Sequence, residues 1–412
     1  MIPRFITKTI IDSVKHFPIT LLTGPRQIGK STELFNSFNS KGFNYISLDD
    51  SFNLAFARKD PRSFLDLHPS PLIIDEAQKA PELFVEIERI VNESRLKRGN
   101  MESNGMYILS GSQRKDLLDR AEESLSGRVA ILDMNNLSIN EILGKDNSPF
   151  EVNLAKDSQR SLRYTLKESQ AFEYIVKGFF PVLYADPSIN TSVFYSSYIT
   201  TYLGKDLRDL ININDEFKFL NFLKLLASNT GEELVYDNYA KNIGVSINTI
   251  KSWTSVLIKT AIIYLVEPYN EESIVKRVVK RPKMYFFDTG LAAYLCGITD
   301  AKTLQNSFLK GRFFETFVFN EIRKSFMNEG IMQTLYYYRD SEQNEVDMIL
   351  VREGKISCVE IKAGQNFNAS DTKEFKNLIN SKFVHGKNAI VCTADKISML
   401  NDGTLLLPIS SI

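Results

Sequence analysis

Short apolar runs that stop abruptly at glycine or acidic residues punctuate the first third of the chain. PITLLT (Pro18–Thr23) stops at Gly24, PLII (Pro71–Ile74) stops at Asp75 and Glu76, and MYIL (Met106–Leu109) stops at Ser110 and Gly111. Continuous apolar stretches of this length, bounded by turn residues, predict strands buried on both faces, as in a parallel sheet. Strands alternating with helices imply a three-layer α/β sandwich whose ligand site lies at the carboxyl ends of the strands. From Gly144 to Ser169 the chain turns polar and loses periodicity, which reads as a linker or loop-rich passage. Phe219, Phe222, Leu223 and Leu226 then recur at helical spacing and read as core. YDNYAKNIGVSINTIKSWTSVLIK predicts one helix to Ile243, a turn at Gly244, and a second helix capped by Ser246 and running through Lys259. The strand-like AIIYLVEPY and KRVVKRPKMYFF that follow would form the hairpin of a winged helix.

Length and charge narrow the class. A chain of 412 residues has room for about three domains of ordinary size. Its 50 basic and 50 acidic residues balance, so no global field draws it to nucleic acid or membrane, and any such binding must come from a local patch. Cys296, Cys358 and Cys392 are scattered, which argues for a reducing compartment and against a disulfide frame or zinc site. No apolar run is long enough to span a bilayer, and polar residues interrupt every apolar stretch of the N-terminus, so no secretory signal is read there. The expectation is a soluble, cytoplasmic protein without a membrane partner.

The first candidate chemistry is the loop GPRQIGKST, comprising Gly24, Pro25, Arg26, Gln27, Ile28, Gly29, Lys30, Ser31 and Thr32. It fits G-x-x-x-x-G-K-[ST], in which backbone N–H groups wrap phosphates, Lys30 reaches the β- and γ-phosphates, and the Ser31 hydroxyl binds Mg2+. Asp75, at the end of the second run, would complete the Mg2+ shell, and Glu76 would polarise the attacking water. Ser112, after the third run, would carry a polar side chain toward the γ-phosphate. Arg128, in SLSGRV, is a candidate arginine for the transition state, in its own chain or on a neighbour, or else a surface ion pair.

GPRQIGKST, LIIDEAQKAPELF, YILSGSQ, SLSGRV and LSINEI together resemble the prokaryotic AAA-type ATPases near the origin-recognition and STAND branch. Members of one large family there carry a C-terminal conserved domain of unknown function. GVSINTI and RPKMYFFDTGLAAYL also resemble that family's characteristic stretches. The resemblance implies ATP and Mg2+ as cofactors, nucleotide, metal and water roles for Lys30, Ser31, Asp75 and Glu76, a sensor role for Ser112 and an arginine role for Arg128.

Lys276, Arg277, Lys280, Arg281 and Lys283 in the expected wing, with Lys251 and Lys259 on the second helix, would make a local phosphate-binding patch. Winged helices also pack on neighbouring domains, so DNA contact and domain packing both stay open.

The C-terminal chemistry lies in EVDMILVREGKISCVEIKAG. With the turn at Glu353-Gly354, Val351 faces Ile356, Ile349 faces Cys358, and Asp347 faces Glu360, while Lys362 shares Glu360's face. Opposed carboxylates beside a lysine would suit a divalent cation. Glu315 shares a helical stripe with Val318, Phe319 and Ile322, and a carboxylate there needs a partner, which the metal would supply. This set resembles the PD-(D/E)xK nuclease fold. That likeness implies Glu315, Asp347 and Glu360 as ligands of Mg2+ or Mn2+ and Lys362 as a catalytic residue, or an inactive relic held by ion pairs.

The expected class is therefore α/β: a three-layer P-loop ATPase domain (1–150), a linker with a helical/winged-helix domain (151–283), and an α/β restriction-nuclease-like domain (284–412). Two functions compete. One couples ATP to a DNA-binding winged helix and a metal-dependent nuclease-like domain. The other is an ATP-dependent regulatory switch acting on a protein partner or in a homo-oligomer, with the tail inactive.

Overall fold

The computed structural model describes residues 2–112, 125–201, 216–270, 281–340, 342–378 and 384–412. Its first layer system is a five-stranded sheet of β1 (Ile19–Thr23), β2 (Asn44–Ser47), β3 (Leu72–Asp75), β4 (Tyr107–Gly111) and β5 (Val129–Asp133), in the order β2-β3-β4-β1-β5. All its ladders are parallel. Side chains alternate faces along a strand, so the apolar runs feed two cores. Ile19, Leu21, Leu72, Ile74 and Leu109 pack on one face, and Leu22, Ile73 and Ile108 on the other, with Ile6, Leu34 and Phe38. Each fully buried Leu or Ile contributes roughly 2 kcal/mol.

The middle region has helices Glu216–Ser228, Tyr236–Ile243 and Ile247–Lys259 beside a three-stranded antiparallel sheet. Its strands are β6 (Glu232–Glu233), β7 (Ile263–Val266) and β8 (Lys283–Phe286), in the order β6-β8-β7. The expected turn is present: Gly244 closes the first helix at φ 72°, and the Ser246 side chain accepts the Thr249 N–H at 3.0 Å. Lys276, Arg277 and Lys280 lie outside the described residues.

The passage 144–169 is less loose than its composition predicts. It contains the helix Leu154–Ser161, capped by Asn153, with Asp157 and Arg160 buried. This helix hides from a hydrophobic scan because its buried face is polar: Arg160 donates to the Pro149 carbonyl and to Ser148.

The C-terminal region opens with the long helix Lys310–Met327 and continues through β9 (Leu335–Arg339), β10 (Glu345–Arg352), β11 (Lys355–Lys362), β12 (Val384–His385), β13 (Ala389–Cys392), β14 (Ser398–Met399) and β15 (Leu405–Pro408). The sheet order is β14-β15-β13-β11-β10-β9, with β12 also beside β11. The β10–β11 hairpin has the expected register, pairing Val351 with Ile356 and Ile349 with Cys358. A single apolar core runs through all three regions, joining Leu22, Phe172, Phe222, Phe317 and Leu407.

Candidate nucleotide cleft and a second acidic cluster

The loop Gly24–Thr32 leaves the carboxyl end of β1 and feeds the helix Lys30–Phe38. A side chain at Gly24 would collide with the Met134 carbonyl, and Gly29 sits at φ 92°, so both positions favour glycine. Gln27 and Glu76 also adopt positive φ (62° and 55°), a strained backbone of the kind found around functional sites. Lys30 is buried, and its ammonium donates to the carbonyls of Gly24 (2.9 Å) and Pro25 (2.7 Å). Burial pulls that group down to about 8, against the opposing effect of the Glu76 and Asp75 charges. Asp75 ends β3 and accepts hydrogen bonds from Ser31 (2.6 Å), Tyr45 (2.7 Å) and Ser110 (2.5 Å). Glu76 accepts from Ser112 at 3.2 Å and also from Gln78. The Ser31 hydroxyl and Asp75 carboxylate thus converge as hard oxygen donors, and they fit Mg2+.

A cleft of about 700 Å3 opens over this loop. Arg26, Gln27, Ile28, Gly29, Lys30, Ser31, Thr32 and Glu76 line one side, and Pro181, Val182, Ala185, Tyr198 and Thr201 of the following region line the other.

Residues 16–143 match the family described as AAA domain. The first domain is thus similar to AAA-type P-loop domains. Residues 168–302 and 310–412 match two families described as domains of unknown function, DUF8612 and DUF4143. Uncharacterized proteins of Mycobacterium tuberculosis and Mycobacterium bovis are 26% identical over 350 residues, covering 84% of this chain and 70% of theirs. Among solved structures, a Walker-type ATPase of Pyrococcus abyssi has 16% identity and a TM-score of 0.41, covering 70% of this chain and 94% of its own. A Signal Transduction ATPase with Numerous Domains from Pyrococcus horikoshii, with a tetratricopeptide repeat sensor, has 10% identity and a TM-score of 0.27, covering 77% and 44%.

Arg128 is not part of the ATPase domain's own cleft. It precedes β5, and Val129 pairs with Ile19 at the amino end of β1, roughly 16 Å along the sheet from the phosphate loop. Its guanidinium is held there by Asn92 (2.7 Å) and Glu88 (3.4 Å). In this arrangement the guanidinium lies away from the phosphate loop of its own chain.

Arg4, which sequence reasoning missed, ties the phosphate loop to the 135–141 segment of the same domain. Its buried guanidinium donates to the carbonyls of Ile28 (2.9 Å) in the loop and Asn135 (2.6 Å), and to Glu141 (3.1 Å). The segment 135–139 is gripped in turn by the long helix: Arg323 donates to Asn135, Lys324 to the Leu137 carbonyl, and Glu321 accepts the Ile139 N–H.

At the other end of that helix lies the second cluster. Asp347 and Glu360 stand on the same face within hydrogen-bonding reach, as the register predicts, and Asp347 also accepts the Ile361 N–H at 2.8 Å. A bulge in the β9–β10 ladder falls between Val346 and Ile349 and aims Asp347 inward. Burial, then the charge of Asp347, pushes the Glu360 carboxyl up. Lys362 lies 3.6 Å from Glu360 and 3.7 Å from Asp371.

Glu315 and Lys283 depart from expectation. Glu315 accepts from Lys283 (2.9 Å) and the Tyr285 hydroxyl (2.6 Å), so its carboxylate already has protein partners. Lys283, read from the sequence as part of the basic patch, is 2% exposed and points into the acidic cluster. It also reaches Glu345 (2.5 Å) and Asp347 (3.8 Å). Burial alone would lower its affinity for a proton, but Glu315, Tyr285, Asp347 and Glu345 outweigh burial and keep the ammonium charged. Among the described residues no group of three or more His, Cys, Asp or Glu could hold a metal ion. With an ammonium already bound to the Glu315 carboxylate, the set Glu315, Asp347 and Glu360 does not fit a divalent ion.

Proposed function

We propose that this chain is a Mg2+-dependent ATPase whose nucleotide state is transmitted to its helical and C-terminal regions, with DNA as the partner of the winged-helix region. The carrying observation is Arg4, which bonds the phosphate loop at Ile28 and the Asn135 carbonyl together, while the long helix grips the segment from Asn135 to Ile139. A change in the loop therefore has a hydrogen-bonded route to the helix that carries Glu315. From Lys324 to Glu315 the helix spans about 14 Å as one rigid element.

In the cleft, Lys30 would leave its carbonyl partners to meet the β- and γ-phosphates, and Glu76 would orient water toward the γ-phosphorus and take up its proton. Ser112 keeps the Glu76 carboxylate in place. Ser31 and Asp75 would hold Mg2+, which when bound offsets charge on the phosphate oxygens. For DNA, the helix Ile247–Lys259 exposes Asn248, Lys251, Ser252 and Ser255, and Arg281 is exposed at the base of the wing. That helix-turn-helix with its three-stranded sheet supports the winged-helix reading.

The second reading is a switch on a protein partner or a further copy of the chain, without cleavage by Asp347, Glu360 and Lys362. The ion pairs of Lys283 favour it over a metal-dependent nuclease. The test is to measure ATP turnover, then DNA affinity with and without nucleotide. Turnover together with nucleotide-dependent DNA affinity supports the first reading. Turnover with no DNA affinity in any nucleotide state supports the second, and absence of turnover removes both.

A further inference from the structure

We propose that Lys283 is the resident cation of the C-terminal acidic cluster, occupying the position around which its carboxylates would otherwise gather a divalent ion. This is independent of the ATPase reading, because none of the groups concerned belongs to the nucleotide cleft.

The coordination is that of an ammonium. Lys283 Nζ has Glu315 at 2.9 Å and Glu345 at 2.5 Å, with Asp347 at 3.8 Å, and these carboxylates arrive from the helix and from β10. Such distances suit N–H donation; Mg2+ needs oxygens at about 2.1 Å in a near-octahedral shell. The lysine is also delivered by rigid backbone. β8 is the central strand of its sheet, and Lys283 pairs with Glu233 on one side and Val266 on the other. Its side chain passes the Tyr337 ring, 5.5 Å from the centroid. The ammonium is thus tethered to the cluster by its own strand, whereas a bound metal could dissociate into solvent.

The surrounding charges agree. Arg339 supplies a second cation to Glu345 (3.3 Å) and Glu233 (3.8 Å), and Lys362 supplies one to Glu360. Positive charge from the chain itself therefore reaches every carboxylate of the cluster. A divalent ion seeking Glu315 and Asp347 would meet an ammonium already beside both.

Removing the lysine should turn the cluster into a cation site. The probe is Mn2+, followed by equilibrium dialysis on the nucleotide-free full-length chain, with Asp75→Asn in the background to silence the nucleotide cleft. With Lys283 intact, no tight Mn2+ should bind. With Lys283→Ala added, about one Mn2+ per chain should bind, and it should raise the melting temperature. Adding Asp347→Asn should abolish that gain. If Lys283→Ala fails to fold, the proposal requires that either Mn2+ or a compensating Glu315→Gln restore folding; failure of both overturns it. Tight Mn2+ binding with Lys283 in place, abolished by Asp347→Asn, also overturns it, as does a folded Lys283→Ala chain that binds no Mn2+.

Discussion

The nucleotide cleft and the C-terminal cluster are built from the same groups, carboxylates beside a buried lysine, and they differ in what holds the lysine. Lys30 is held by the backbone carbonyls of Gly24 and Pro25, neutral acceptors, with the Glu76 and Asp75 charges near it but forming no ion pair with it. Lys283 is held by Glu315 and Glu345, which satisfy its charge and fix it. In the first arrangement the ammonium is bonded to no carboxylate and opens onto a cleft, so a polyphosphate would take the place of its carbonyl partners. The second already carries its own cation at Glu315 and Glu345. A motif of acids and lysine therefore does not define a binding site; the identity of the lysine's partners decides whether something from outside is still needed.

The sharpest way to break that contrast is a pair of matched substitutions. Lys283→Met strands the carboxylates of Glu315 and Glu345 and should cost about 3–5 kcal/mol of stability. Lys30→Met removes a buried charge that no carboxylate bonds, so it should change stability by less than about 1 kcal/mol while abolishing ATP turnover. Thermal unfolding of both variants decides it: equal losses would mean the lysines are equivalent. Next in size, Glu76→Gln should lower ATP hydrolysis by roughly 100-fold or more while nucleotide affinity stays, because shape is kept and the carboxylate is removed. Normal turnover in that variant would remove Glu76 from its role.

A smaller effect is expected at the winged-helix region. Replacing Lys251 and Arg281 by Ala should weaken DNA binding and reduce its salt slope by about 0.9 for each phosphate that is no longer neutralised. An unchanged slope in a salt titration would move DNA elsewhere on the chain. The smallest effect belongs to Arg128→Ala, whose partly exposed pair with Glu88 is worth less than about 1 kcal/mol. Turnover at low protein concentration should be unaffected. A deficit that grows with protein concentration would instead reveal action on a neighbouring chain.

The phosphate loop, the acids after β3 and the hairpin register were all legible in the sequence because each is a local pattern. A strand's end fixes where Gly24 and Asp75 lie, and a two-residue turn fixes that Asp347 faces Glu360. What escaped depends on distant chain segments meeting. Lys283 sits in a basic stretch and looks like surface, yet the pairing of β8 between β6 and β7 turns its side chain inward. Arg4 lies in no motif, and its role exists only because Ile28, Asn135 and Glu141 converge on it. The helix Leu154–Ser161 was hidden for a related reason: an ion pair, not an apolar stripe, faces inward there.

We propose that the phosphate loop communicates with the C-terminal region through Arg4 and the long helix. Hydrogen exchange with and without saturating ATP, in the wild type and in Arg4→Met, tests it most directly. ATP should change the protection of residues 135–141 and of the helix Lys310–Met327 in the wild type. In Arg4→Met the phosphate loop should still respond to ATP, while the helix should no longer do so. A helix response that survives intact in Arg4→Met, or a wild type in which ATP alters exchange only around the loop, would rule this route out.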